Sequence, residues 1–305
     1  MNDRINDNLE VFRNADYNSM LFVDTNNACN LKCPTCCRGK GEMPSDNSTM
    51  SIDLFHLIIQ KAVKEGFEKI YLYNWAEPFL NTRLDEYVRI VKDYNLTCEI
   101  SSNLSLPCIP HLEKTLIAGV DKLIVTVSGD DNQTHNINHR GSDIGVVKSH
   151  LAKISELKKN GMIKTHTTLT MLKFSYNEHC VESLKKYADS LGIEFYLMRG
   201  IGDPLETGGK TATPNLPIPF GTIKGGKCLI LDRSVSIDHC GNLYLCCARP
   251  NHKEFLIGNF FEMSLSEIFV HRITHPICRK CSIIERIALN QQEKDWIIDA
   301  FDKKL

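Results

Sequence analysis

The chain has 305 residues, 42% of them hydrophobic, and a formal net charge of −1. That length can bury a sizeable core in one large domain with an appendage, and a balanced charge without a dense Lys/Arg run argues against a nucleic-acid partner. No stretch approaches the ~18 uninterrupted apolar residues of a membrane span, and the polar start lacks the apolar core of a signal peptide. The expected location is therefore cytoplasmic, with no membrane partner. Thirteen cysteines in such a setting point to metal binding or redox chemistry more than to disulfides. The sequons at Asn47, Asn95 and Asn103 are then chance matches, because glycosylation needs a secretory route.

After an extension over 1–20, strand-like runs occur at Leu21–Thr25, Lys69–Asn74, Thr97–Ser102, Lys122–Val127, Thr167–Met171 and Glu194–Met198. Helical patterns lie between them at Ile52–Val63, Leu84–Val91, Leu112–Leu116, Val146–Leu157 and Val181–Ala188. The first carries apolar Leu54, Phe55, Leu57, Ile58, Ile59 and Ala62 on helical spacing, with Ser51 and Asp53 as start signals. Six strand–helix units predict an α/β fold with a parallel sheet, a partial (β/α)6 TIM-like barrel over 21–199. Chemistry in such barrels sits on the loops at the C-terminal ends of the strands. A Gly/Pro-rich stretch over 200–227 reads as a connector. A small C-terminal cysteine-rich module follows over 228–282, and 283–305 reads as a polar-faced helix.

The loop after the first strand holds Cys29-Asn30-Leu31-Lys32-Cys33-Pro34-Thr35-Cys36, a CxxxCxxC spacing. Three thiolates can bind three irons of a [4Fe–4S] cube and leave the fourth open to a small chelating ligand. A structural zinc site would normally demand a fourth protein ligand. The run resembles the radical S-adenosylmethionine (SAM) signature, in which the amino and carboxylate groups of SAM chelate the open iron. The resemblance implies that Cys29, Cys33 and Cys36 are the metal ligands and that SAM cleavage starts radical chemistry. Thr35 departs from the signature, which usually places an aromatic residue before the last cysteine, one that gives mainly a backbone contact to adenine. Cys37 is an additional thiol that reads either as a small buried side chain or as a ligand.

Later strand ends carry residues the family would need. Ala76-Glu77-Pro78 after strand two resembles the Gly-Glu-Pro that binds the SAM amino group. Ser101-Ser102-Asn103 after strand three is similar to a turn near the SAM carboxylate. Ser128-Gly129-Asp130 after strand four stands where a hydroxyl often contacts the ribose. The resemblance thus implies Glu77, Ser102, Asn103 and Ser128 as SAM-binding residues. Lys173 and Asn177 after strand five are weaker candidates, and each such residue can equally serve as an Asx turn or a helix cap.

Cys228, Cys246, Cys278 and Cys281 form a second constellation. Val235–Asp238 and Gly241–Leu245 between them read as a hairpin with its turn near Gly241. A CxxC alone fits zinc or redox chemistry. Downstream of the first motif it resembles the twitch module, a truncated SPASM domain with a second [4Fe–4S] cluster held by these four cysteines. Such a fully ligated cluster would conduct electrons or be structural. Cys240 and Cys247 remain. Cys247 is expected to point away from Cys246 across a strand. In radical SAM epimerases of the neomycin type and of a bacillus peptide type, a non-ligand cysteine returns a hydrogen atom to the substrate. The resemblance gives Cys247 that catalytic role; packing is the alternative.

The expected function is radical hydrogen abstraction from an unactivated carbon of a small polar substrate, an aminoglycoside or other carbohydrate, ending in epimerisation. The chain also resembles 2-deoxy-scyllo-inosamine dehydrogenase, which makes two-electron oxidation of an alcohol the alternative. The short N-terminal segment argues against a peptide-recognition domain there, so a short peptide substrate ranks second. Glu99, Asp130, Asp131, His135, His139, Arg140 and Arg199 are polar candidates near strand ends. A low-potential donor such as flavodoxin or ferredoxin is implied. Radical methylation or sulfur insertion is disfavoured by the lack of an evident cobalamin domain and by the four ligands of the second cluster. A non-catalytic iron–sulfur or zinc protein would keep the cysteines without needing Glu77, Ser102, Asn103 and Ser128.

Overall fold

Strands β1 (Met20–Val23), β3 (Thr97–Ser102) and β4 (Lys122–Val127) alternate residue by residue between a buried and a half-buried face. Successive side chains of a strand point to opposite faces, so each strand offers one face to an apolar layer. Leu21, Val23, Cys98, Ile100, Leu123, Val125 and Val127 supply that buried face. They join one apolar cluster with Phe55, Ile58 and Ile59 of α1 (Ile52–Lys64) and Tyr87, Val88 and Val91 of α2 (Leu84–Asp93). The other face carries Phe22, Glu99, Ser101, Ile124 and Thr126, all half-buried, and forms the inner wall of the barrel.

The computed structural model describes residues 20–200, 234–247 and 253–276. The remaining parallel strands are β2 (Lys69–Tyr71), β5 (His166–Lys173) and β6 (Glu194–Arg199). Three further strands are β7 (Ser234–Ile237), β8 (Asn242–Tyr244) and β9 (Leu256–Asn259). All nine make one sheet in the order β6-β5-β4-β3-β2-β1-β7-β8-β9. The expected bounds of β3 and β4 match to the residue. β1 stops at Val23 because Asp24 turns its buried carboxylate to the next strand's loop.

The expected hairpin around Gly241 is present, and it adds to the barrel sheet. β7 runs parallel to β1, with Met20 opposite Ser234 and Val23 opposite Ile237. β8 and β9 then continue antiparallel. Asp238 organises the turn: its carboxylate accepts from the Cys240 and Asn242 N–H groups at 2.9 and 3.0 Å and from the Tyr244 hydroxyl at 3.1 Å. Gly241 sits at φ +82°, which an L side chain rarely adopts.

Helices α3 (Leu112–Ile117), α5 (Ile144–Lys159) and α6 (Val181–Leu191) fall where the pattern predicts them. Two helices escape it. The first, α4 (Asn132–Asn138), has no apolar period; Asp131 caps it by accepting from the Thr134 N–H at 2.9 Å. The second, α7 (Leu265–Thr274), opens with a Ser264/Glu267 capping box. No helix among the described residues is long and apolar enough to cross a membrane.

Candidate active site at the strand ends

The cysteine loop leaves β1 at Asp24, a residue only 3% exposed. Its carboxylate accepts from the Trp75 N–H at 3.1 Å and the Ala76 N–H at 3.1 Å, which pins the loop after β2 to the end of β1. Burial pushes the Asp24 carboxyl up to about 6, against these hydrogen bonds and the nearby Arg38 charge. Asn26 donates from Nδ2 to the Glu77 carbonyl at 3.0 Å and accepts from the Ala28 N–H at 2.8 Å. The Glu77 N–H returns a bond to the Ala28 carbonyl at 2.8 Å. Arg38, buried, donates to the carbonyls of Trp75 (3.0 Å), Pro44 (3.3 Å) and Asn27. The cysteine loop is therefore held from both sides by the protein's own groups.

Cys29, Cys33 and Cys36 are half-buried and form no disulfide. They face one another closely enough for each to feel the charge of another. Burial pushes the Cys29 thiol up to about 12, and the charge of Glu77 adds to the rise. Burial likewise raises Cys33, with Cys36 and Cys29 adding to it, while Arg140 opposes. Cys36 is drawn down to about 7, chiefly by a hydrogen bond from Cys37. The Cys36 N–H donates to the Cys33 carbonyl at 3.1 Å, closing a turn. Gly39 packs on that turn so tightly that a Cβ there would lie 2.2 Å from the Cys33 oxygen. Three adjacent thiols, two of them costly to ionise alone, are held together as thiolates when a cation offsets their charge. The donor set fits a three-ligand iron–sulfur site.

Glu77 is 3% exposed. Its Oε1 accepts from the Phe79 N–H at 3.1 Å and the Ser102 hydroxyl at 2.7 Å; its Oε2 accepts from the Asn103 N–H at 3.0 Å. Burial raises its pKa and these three donors oppose the rise. Ser102, also buried, accepts in turn from the Leu104 N–H at 2.9 Å. Asn103 is the member that reaches the cysteines. Its Nδ2 lies 3.9 Å from Cys29 Sγ and donates to Asn30 Oδ1 at 3.0 Å. Its Oδ1 accepts from the Ser105 N–H at 2.8 Å.

Ser128 is fully buried. Its N–H donates to His135 Nδ1 at 3.2 Å, so the network assigns that ring's hydrogen to Nε2, which donates to Ser142 Oγ at 2.9 Å. The Ser128 hydroxyl donates to the His135 carbonyl at 3.0 Å and meets His139 Nδ1 at 2.7 Å. Having one hydrogen, it accepts from His139. The two imidazoles stack with centroids 4.7 Å apart. Burial pushes His135 down to about 4 and holds His139 well below its usual value. Both rings are neutral.

Other sequence-selected residues prove structural. Asn177 is fully buried and donates to the carbonyls of Ser128 and Leu172, both at 2.8 Å. Lys173 pairs with Glu178 at 3.0 Å. Asp131 caps α4, and Asp130 accepts from the Ser183 hydroxyl. Sequence reasoning missed Asp24, Asn30, Arg38 and Asn138; a charged residue ending a strand and one just beyond the cysteines were the readable signals.

Cys228, Cys278, Cys281 and the tail over 283–305 lie outside the described residues. Cys246 and Cys247 are half-buried. The expected strand alternation between them does not apply, because β8 ends at Tyr244 and both cysteines lie beyond it. Burial raises the Tyr73 phenol, and the charges of Glu99, Tyr71 and Cys247 add to it. Tyr73 meets Phe22 edge-on at 5.5 Å, and Phe22 stacks on Tyr71 at 4.6 Å. Burial also raises Glu99 on the same inner wall.

A parallel barrel with desolvated thiols gathered at the end of its first strand defines an iron–sulfur enzyme. The model of the radical SAM superfamily matches residues 23–188, more than half of the chain, and the chain belongs to that superfamily. An iron–sulfur cluster-binding domain, SPASM, matches residues 228–282. The protein is a radical SAM enzyme with a SPASM module, and its cofactors are SAM and [4Fe–4S] clusters. It is 26% identical over 129 residues to a probable GTP 3′,8-cyclase of Methanococcus maripaludis, covering 42% of this chain and 43% of that one. It is 22% identical over 174 residues to an AdoMet-dependent heme synthase of Nitratidesulfovibrio vulgaris, covering 57% and 45%. The chain thus spans less than half the length of these curated relatives. The structure of Streptococcus suis SuiB bound to precursor peptide SuiA aligns with a TM-score of 0.63 at 13% identity, covering 90% of this chain and 69% of that one. That likeness shows the fold alone.

Proposed function

We propose that Cys29, Cys33 and Cys36 hold three irons of the SAM-binding [4Fe–4S] cluster and that the enzyme epimerises a carbon of a small polar substrate. Bound there, the cluster and SAM supply a radical able to take hydrogen from an unactivated carbon. Glu77, Ser102, Asn103 and Ser128 shape the SAM site: Asn103 directly, Glu77 and Ser102 by orienting its peptide, Ser128 by anchoring the loop after β4. Cys246 joins Cys228, Cys278 and Cys281 around the auxiliary cluster.

The observation that carries the epimerase reading is that the Cys247 charge is felt at Tyr73, a residue packed on Phe22 of the inner wall. In this reading the Cys247 thiol returns hydrogen: its S–H bond breaks as the substrate C–H bond forms. One electron and one proton then restore it, the electron coming from a donor such as flavodoxin or ferredoxin. The rings of Phe22 and Tyr71 suit the C–H face of a sugar. This supports an aminoglycoside or related carbohydrate as substrate.

The test is turnover in deuterated water with aminoglycosides, sugar precursors and short peptides. A product heavier by one deuterium at carbon, lost in Cys247→Ala, is expected. A product two hydrogens lighter would make the enzyme a dehydrogenase and Cys247 a packing residue. Turnover of peptides alone would overturn the carbohydrate assignment.

A further inference from the structure

Thr35 stands directly before Cys36, and its hydroxyl donates to Asn138 Oδ1 at 2.8 Å. Asn138 closes α4 and is only 1% exposed. Its Nδ2 carries two hydrogens and donates to no described residue. The groups around this amide are fixed. Its neighbours His135 and His139 are locked by Ser128 and Ser142. The Lys32 N–H donates to the Arg140 carbonyl at 3.0 Å, tying the far side of α4 to the cysteine loop. Gly141 passes the same loop closely, with its Cβ position 3.8 Å from the Asn30 oxygen. Three links thus hold the end of α4 against the cysteine loop, one of them through the Asn138 amide.

We propose that Asn138 is a cofactor-binding residue whose Nδ2 donates to an acceptor on the adenosyl part of SAM, with Thr35 orienting the amide. The adenosyl group is the portion of SAM rich in neutral acceptors, its ring nitrogens and ribose oxygens. The amino and carboxylate groups are engaged at the iron. A phenylalanine at position 35 would leave the Asn138 oxygen unpaired, so the threonine and the asparagine work as a pair. The proposal rests on the assignment of Cys29, Cys33 and Cys36 to the SAM-binding cluster.

The experiment uses the full chain, reconstituted anaerobically. Iron and sulfide content are measured, and SAM and S-adenosylhomocysteine affinities are read by equilibrium dialysis and by the change in the reduced cluster's paramagnetic resonance signal. Asn138→Asp keeps an oxygen for Thr35 and removes the donor. Asn138→Ala removes both, and Thr35→Val removes only the orienting bond. Full iron content with about tenfold weaker binding of both ligands is expected for the Asn138 variants, and a smaller loss for Thr35→Val. Wild-type affinity in the Asn138 variants with full iron content would overturn the proposal. So would loss of iron in all three, which would make the pair a brace for the cysteine loop. Absence of SAM binding by the fully loaded wild-type protein would instead overturn the cluster assignment, and this proposal with it.

Discussion

The Ser102 hydroxyl donates a 2.7 Å hydrogen bond to the Glu77 carboxylate. Since Glu77 also takes the Phe79 and Asn103 N–H groups, one buried carboxylate joins the loop after β2 to the loop after β3. Asn103, held in this way, places its amide 3.9 Å from Cys29 Sγ. The acid expected to touch SAM thus first orders the residue that flanks Cys29.

Glu77→Gln turns one acceptor oxygen into a donor facing existing donors. It should cost about 1–3 kcal/mol of stability, read as a lower urea midpoint by circular dichroism with unchanged slope. SAM affinity should fall with it. An unaltered midpoint would mean that the carboxylate is not what joins the two loops.

Gly39→Ala would force a Cβ to 2.2 Å from the Cys33 oxygen and 2.4 Å from the Cys33 nitrogen. Both are backbone atoms of a proposed cluster ligand, so the turn must move. Iron content after reconstitution should fall from about eight to about four atoms per chain, as it should in Cys33→Ala, while far-ultraviolet dichroism stays native. Full iron in Gly39→Ala would show that the turn tolerates the shift.

Folded His135 stays neutral down to about 4, whereas the unfolded side chain titrates near its ordinary value of 6.5. Between those values the unfolded state binds more protons, so stability rises with pH. It is fully present above about 6.5 and is lost as pH falls toward 4, on the order of 3 kcal/mol for this group. His139, held low as well, acts in the same direction. Urea midpoints at pH 7.5 and pH 5 should differ more in the wild type than in His135→Gln/His139→Gln. Equal differences would place the acid sensitivity elsewhere.

The strands β3 and β4 are legible in the sequence to the residue, because alternate side chains in each meet an apolar helix layer and a half-open wall. The CxxxCxxC spacing and its place after β1 are equally local facts, and the radical SAM class follows from them. Strand-end positions of Glu77, Ser102, Asn103 and Ser128 are legible too. Which way their side chains turn is not: Ser102 and Ser128 are buried, Ser102 on Glu77 of another loop and Ser128 on His135 and His139 further along its own. The helix α4 has no apolar period, since its stability comes from an Asp131 cap and from histidines buried under it. The pairing of β7 with β1 joins strands far apart in the chain, and no local pattern encodes it. Sequence by itself determined the elements and the chemistry of the cysteine loop, because spacing and alternation act over a few residues. Only the tertiary structure decided that Thr35 meets Asn138, because that contact depends on how the sheet brings the ends of β1 and β4 together.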